Sequence, residues 1–235
     1  MKLNNKIILV TGGSSGIGLS SALMLKEKGA TVIITGRNKE KLEKAAEENG
    51  LIGFVSDVSK EAEVKQLFQS ILKQFGTLDV LINNAGFGYF ELLENVNVEK
   101  FNDVLQTNVI GAALAAKEAS KIFKEKNGGD IINIASTAAT KGFAGGTSYV
   151  ASKFALRGMT ECWRAELRPY NIRVILINPS EVQTDFVVNS GRPERNFNPT
   201  KLVGEDIAHA IVSALEMENR GFITELTVFA TNPKD

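Results

Sequence analysis

The chain has 235 residues, 43% hydrophobic, 23% charged and 7% aromatic, and its 27 Lys plus Arg balance 27 Asp plus Glu. This composition excludes a disordered chain, and the length, enough for one large domain, excludes a mini-protein stapled by disulfides or metal. With no net charge there is no field to hold nucleic acid or an anionic membrane surface. One cysteine and one histidine leave neither a disulfide within the chain nor a clustered metal-ligand set. Cys162 falls in an apolar helical stretch and reads as a small buried hydrophobe. The longest apolar run, 109–116, has 8 residues against the ~20 of a membrane span. Met1 leads into a strand pattern with no apolar signal region, so a cytoplasmic location is expected.

In chain order, short β-branched runs alternate with helical patterns. The first strand is predicted at 7–10 and the first helix at about 15–28. Further strands are predicted at 31–35, 53–55, 78–82, 130–135, 173–177 and 226–229, with helices between them, including a long one from about 99 to 126 and another over 147–168. Strands separated by helices cannot pair as hairpins, and near-continuous apolar strands are covered on both faces. The expected fold is therefore α/β: one Rossmann-like, doubly wound parallel sheet of about seven strands with helices on both faces. No repeat or linker marks a boundary, so residues 1–235 read as a single domain. Residues 185–203 carry Gly191, Pro193 and Pro199 among polar residues, and read as a mobile substrate loop at the carboxyl end of the sixth strand.

Between the first strand and first helix lies Thr11-Gly12-Gly13-Ser14-Ser15-Gly16-Ile17-Gly18. Gly12 and Gly16 let the backbone bend and approach a ligand, Gly18 lets the helix pack closely, and the free N–H groups at the helix start suit a pyrophosphate. The spacing is TGxxxGxG. It is followed, in order, by Asp57-Val58, Asn83-Asn84-Ala85-Gly86, Asn108 inside a helix, Ser136 after the fifth strand, and Tyr149-x-x-x-Lys153. In these motifs, which run along almost the whole chain, the sequence resembles the classical short-chain dehydrogenase/reductase family.

The second strand ends in Gly36-Arg37, where an adenosine ribose is expected. No carboxylate is present to repel a 2′-phosphate, and a guanidinium pairs well with one, so NADP(H) is the expected cofactor. Asp57 is open to two readings, a partner of the adenine beside Val58 or the N-cap of the next helix. Tyr149 and Lys153 project from one helix face. A cation ~5 Å from a phenol, at an effective dielectric of ~20, favours the phenolate by about 3 kcal/mol, or roughly two pKa units, so the pair suits acid–base chemistry.

The resemblance implies more. Tyr149 would protonate a substrate carbonyl while hydride leaves the nicotinamide, and Ser136 would orient the same oxygen. Lys153 would bind the nicotinamide ribose as well as tune Tyr149, and Asn108 would hold a relay water. Asn83 would steady the sheet, and Asn84, Ala85 and Gly86 would border the cofactor. Pro179 would border the cofactor and Val182 and Thr184 would meet the carboxamide, although Ser180 stands where the family has glycine, and a serine would be strained there if that glycine sits at positive φ. Phe87, Tyr89, Phe143 and Phe186 are candidate substrate walls, and Arg192 and Arg195 either recognise an acidic group or are solvated loop charges. The small residues Gly111, Ala112, Ala113, Ala115 and Ala116, on a helix that the family pairs with its copy, point to a homo-oligomer, a dimer or tetramer.

The reading that results is an NADPH-dependent reductase of a small-molecule carbonyl, or the reverse alcohol dehydrogenase. A 3-oxoacyl-[acyl-carrier-protein] reductase is the narrower alternative, and an NADP sensor without turnover the alternative from another class; that one is opposed by the presence of both Tyr149 and Lys153.

Overall fold

The computed structural model describes residues 2–193 and 196–234. They form one seven-stranded sheet, all parallel, in the order β3-β2-β1-β4-β5-β6-β7. The strands are β1 (Ile7–Thr11), β2 (Thr31–Gly36), β3 (Ile52–Val55), β4 (Val80–Asn83), β5 (Gly129–Ile134), β6 (Ile172–Pro179) and β7 (Glu225–Val228). The chain starts in the middle of the sheet, winds outward to β3, and returns across β1 to β4. That reversal opens a crevice at the carboxyl ends of β1 and β4, where open α/β sheets bind ligands.

Alternation along the strands builds two apolar layers. Ile8 and Val10 of β1 face one side, together with Ala22 and Leu25 of α1 (Gly16–Glu27), Leu42 of α2 (Lys39–Asn49), and Ile207 and Ile211 of α8 (Gly204–Glu216). Leu9 faces the other side, with Leu67 and Ile71 of α3 (Glu61–Phe75) and Ala119 and Phe123 of α5 (Ala112–Glu125). Each fully buried aliphatic side chain contributes roughly 1.5–3 kcal/mol. Between them, α4 (Val98–Leu105) leads through a π-helical turn, Gln106–Gly111, into α5; the 21-residue α6 (Thr147–Leu167) and a one-turn α7 (Phe186–Asn189) complete the set.

Two polar devices tie the layers. Arg173 on β6 forms a buried bidentate pair with Asp130 on β5, its Nη2 lying 3.0 Å from Oδ2, and it also donates to the Leu215 and Met217 carbonyls at the end of α8. Deeper in, Asn83 Nδ2 donates to Asn133 Oδ1 (2.9 Å), and Asn133 Nδ2 to Thr160 Oγ1 (2.8 Å), a chain that joins β4, β5 and α6. Asn83 thus steadies the centre of the sheet. Among the described residues no helix is long and apolar enough to cross a membrane.

The predicted strands are all present, with shifted ends: β4 begins at Val80 rather than 78, and β6 runs on to Pro179. One expectation fails for a reason of facing. Cys162 is exposed, because the buried face of α6 runs through Ser148, Ser152, Leu156 and Thr160 and leaves Cys162 on the outer side. Of the small residues 111–116, Ala112, Ala115 and Ala116 are buried within the chain, and a Cβ on Gly111 would lie 2.8 Å from Val58 Cγ2. They let α5 approach its own sheet.

Candidate active site

The turn after β1 is built by close approach. Gly12 has φ +64, and a Cβ there would sit 2.9 Å from the Cα of Ala85; a Cβ on Gly18 would come within 2.3 Å of the Gly12 carbonyl oxygen. Thr11 locks this junction from beneath: its hydroxyl donates to the Ile82 carbonyl (3.3 Å) and accepts from the Asn84 and Ala85 amides (3.0 and 3.1 Å). Asn84 Nδ2 returns bonds of 3.0 Å to the carbonyls of Thr11 and Gly12. Thr11 and Gly18 therefore shape the cavity without lining it. Ser14, Ser15, Gly16 and Ile17 do line it. Ser15, the cap residue of α1, makes no side-chain cap bond and the first turn holds no acid, so the helix start keeps amide donors and positive potential for an anion.

The cavity, about 1070 Å³, runs along the carboxyl edge of the sheet from this turn to the loop after β6. At one end Arg37 lines it, with Cζ 6.0 Å from the Phe87 ring centroid. Lys41, one helical turn further on, also lines it and bonds Asp185 Oδ2 at 2.9 Å, across to the loop that follows β6. Val58 lines the cavity but Asp57 does not. The Asp57 carboxylate accepts from the amide and hydroxyl of Ser59 (3.0 and 2.7 Å), and α3 starts only at Glu61 behind Lys60, so Asp57 closes a tight turn and is not the helix N-cap. Its neighbour Ser56 was missed in the sequence. That residue is buried, lines the cavity, and its Oγ finds no partner among the described residues.

At the middle of the cavity Ser136, Tyr149 and Lys153 converge. Ser136 caps a short 3-10 turn, its Oγ accepting from the Ala138 amide at 3.1 Å. Lys153 is buried, donates to the Ile134 carbonyl (2.9 Å), and lies 5.6 Å from the Tyr149 ring centroid. Burial lowers its ammonium to about 8. Burial also pushes the Tyr149 hydroxyl above the usual phenol value, against a hydrogen bond with Ser136 and the charge of Arg192, which pull the other way. The lysine was expected to lower the tyrosine; in the structure desolvation dominates both groups and the ammonium is aimed at a carbonyl.

Asn108 sits in the π-helical turn, buried, and does not line the cavity. Its side chain accepts from the Phe87 amide (3.0 Å) and donates to the Phe87 carbonyl (2.9 Å) and Ser152 Oγ (3.0 Å). These bonds clamp the loop after β4.

Asn84, Ala85 and Gly86 border the cavity on that loop, and Pro179, Val182 and Thr184 border it after β6. Ser180 is not strained: among the described non-glycine residues positive φ occurs only at Asn5, Asn127 and Asn171, and the Ser180 amide bonds the Val228 carbonyl at 2.9 Å.

The other end is aromatic. Phe90, which sequence reasoning overlooked, packs against Tyr149, Phe143 and Phe186 with centroids 5.4, 6.0 and 6.4 Å away. Phe87, Phe143 and Phe186 line the cavity as expected, but Tyr89 does not: its hydroxyl accepts from the Asn97 amide and Lys100 stacks on its ring. Arg192 lines the cavity over Phe90; Arg195 lies outside the described residues.

A family profile described as short chain dehydrogenase matches residues 6–195. An uncharacterized oxidoreductase of Staphylococcus aureus (strain MRSA252) is 33% identical over 232 residues, spanning 96% of this chain and 97% of that protein. The alcohol dehydrogenase from the archaeon Thermococcus sibiricus, solved in complex with 5-hydroxy-NADP, is 27% identical with a TM-score of 0.88, covering 99% of this chain and 100% of that one. The 3-ketoacyl-(acyl-carrier-protein) reductase from Brucella melitensis, solved in complex with NADH, is 29% identical with a TM-score of 0.89, covering 97% and 98%. With the profile matching most of its length, relatives aligned nearly end to end and the motifs in place around one cavity, the chain belongs to the short-chain dehydrogenase family of oxidoreductases.

Proposed function

We propose that this protein is an NADP(H)-dependent carbonyl reductase, or alcohol dehydrogenase in reverse, acting on a small molecule. The observation that carries the reading is the convergence of Ser136, Tyr149 and Lys153 midway along a cavity that begins at an uncapped helix N-terminus and ends among aromatic rings. The residues fit a dinucleotide: donors at the start of α1 for the pyrophosphate, an unpartnered Ser56 hydroxyl by the adenosine end, and Gly86 leaving room beside Lys153. When bound, a nicotinamide supplies or accepts hydride. Similar solved structures hold both an NADP compound and NADH, so likeness alone does not choose the cofactor; Arg37, with Lys41 beside it and no carboxylate at residue 36, favours the 2′-phosphate form.

The raised Tyr149 keeps its phenolic proton at neutral pH, which is what a donor to a carbonyl oxygen needs, and Ser136 holds a hydroxyl beside it to orient the same oxygen. Lys153, at about 8, exchanges its proton within the physiological range and is placed to hold the ribose and replenish Tyr149. The first part of the 185–203 loop covers the substrate half, since Phe186, Val187 and Arg192 line it and Asp185 is latched by Lys41. The narrower 3-oxoacyl thioester reading is favoured only by likeness to the Brucella melitensis enzyme. Assembly with a second copy is supported by Ile110 and Phe154, apolar residues exposed on adjoining helical segments at 43% and 47%.

Four measurements test this reading. Tyr149→Phe is expected to lower kcat for ketone reduction by about 10²–10⁴-fold, with NADPH affinity kept; activity near wild type would sink the assignment. The ratio of kcat/KM for NADPH over NADH should exceed one and fall by about 10–100-fold in Arg37→Ala, the worth of one charged hydrogen bond. Light scattering at micromolar concentration should give a multiple of 25.4 kDa; the monomer mass would refute assembly. Lys153→Met should abolish turnover yet stabilise the fold. A lysine depressed from 10.5 to about 8 costs the folded state roughly 3 kcal/mol, and losing its charged bond to the Ile134 carbonyl takes back about 1.5–3, leaving at most about 1.5 kcal/mol in favour of the variant. The folded pKa lies below the unfolded one, so the wild-type penalty is full below pH 8 and vanishes towards pH 10.5. Denaturant melts at pH 7 and pH 10 should show the gap closing.

A further inference from the structure

The substrate half of the cavity has an apolar body and one cation. Phe90 and Phe186 pack on Tyr149, Phe143 packs on Phe90, and Arg192 lies with its Cζ 4.3 Å from the Phe90 ring centroid, one ring removed from the phenol. The guanidinium is positioned, not free-swinging: Nε donates to Ser190 Oγ at 3.0 Å, and the Arg192 amide bonds the Val187 carbonyl at 3.2 Å. Among the described residues it has no carboxylate partner, and neither Nη group makes a hydrogen bond. The acids that line the same cavity are engaged elsewhere, Asp185 with Lys41 and Glu181 with Lys201.

A partly buried cation stacked on an aromatic face and backed by one hydroxyl presents its remaining planar edge as a fork for two oxygens. We propose that Arg192 is a specificity residue whose counter-ion is the substrate itself: a carbonyl compound with an apolar, ring-sized frame that carries a carboxylate. A monoanion matches one guanidinium, whereas a phosphate dianion calls for a second cation, and the others on this cavity are Lys153, bonded to the Ile134 carbonyl, and Arg37 and Lys41 at the far end. The proximity of the guanidinium to Tyr149 agrees, since its charge already acts on the phenol, and a bound carboxylate would offset that charge and help the phenol retain its proton before transfer. The inference rests on the reductase reading for the word substrate, but not for the subsite.

The test is therefore a binding experiment that needs no turnover. Calorimetric titration of the intact protein, with and without NADP⁺, compares 3-phenylpropanoate with 3-phenylpropanamide, which differ in charge and not in frame. The acid is expected to bind at least about 10-fold tighter, the worth of a charged over a neutral hydrogen bond, with an advantage that shrinks as salt rises. Arg192→Gln should bring acid and amide to equal affinity, and Arg192→Lys, which keeps the charge but loses the fork, should retain part of the difference. Equal affinity in the wild type, binding of neither ligand, or an acid preference that survives Arg192→Gln would overturn the proposal. If the preference is present but no carbonyl compound is reduced with either nicotinamide, the reductase reading falls and the anion subsite stands. If neutral ketones are reduced and the acid shows no preference, the subsite falls and the reductase reading stands.

Discussion

A methyl group on Gly12 would lie 2.9 Å from the backbone of Ala85, and one on Gly18 would lie 2.3 Å from the carbonyl of Gly12. The turn after β1, the start of α1 and the loop after β4 therefore share one small volume that only backbone can occupy. Thr11 and Asn84 hold the three pieces together by main-chain bonds in both directions. Because this joint stands at the point where the strand order reverses, it sets both the position of the helix N-terminus and the path of residues 84–90. From that path follow the places of Phe87 and Phe90, and the register in which Asn108 clamps the loop from behind.

The far wall is placed by independent means. The Asn83–Asn133–Thr160 chain fixes α6 against the centre of the sheet, and α6 carries Tyr149 and Lys153 one turn apart. At the opposite edge of the sheet the Arg173–Asp130 pair ties β5 and β6 to the end of α8. A buried pair of this kind is weak evidence of stability, but sliding either strand would leave an uncompensated buried charge. Register is what the site needs, because Ser136 leaves β5 and Pro179 ends β6 on the same cavity.

What sequence could reveal follows from what each signal depends on. The parallel strands and the glycine turn were legible because near-continuous apolar runs and a TGxxxGxG spacing are local patterns with few physical solutions. The pairing of Tyr149 with Lys153 was legible because i,i+4 on a helix is a geometric identity. Facing was harder wherever periodicity was weak: Cys162 lies on an outer face, and Tyr89 turns away while Phe90 turns in. Contacts between distant segments were out of reach. Nothing local ties Lys41 to Asp185 or leaves Ser56 Oγ unpartnered, and the balance of burial against charge at Tyr149 depends on what surrounds it in three dimensions.

That balance shows why the centre of the cavity is costly to build. A lysine buried at 6% exposure, held by one carbonyl, is a poor choice for stability and a good one for proton exchange, since the same desolvation that penalises the fold brings its pKa to about 8. The tyrosine beside it moves the opposite way for the same reason, because burial disfavours the charged form of each, a cation in one and an anion in the other. Two groups whose reference values in water nearly coincide, ~10.4 for lysine and ~10 for tyrosine, are thus driven apart by burial. The separation needs no charge from outside the chain; it needs Phe90 and Phe186 packed on Tyr149, each with its ring centroid 5.4 Å away, and so depends on the loop that the glycine joint positions.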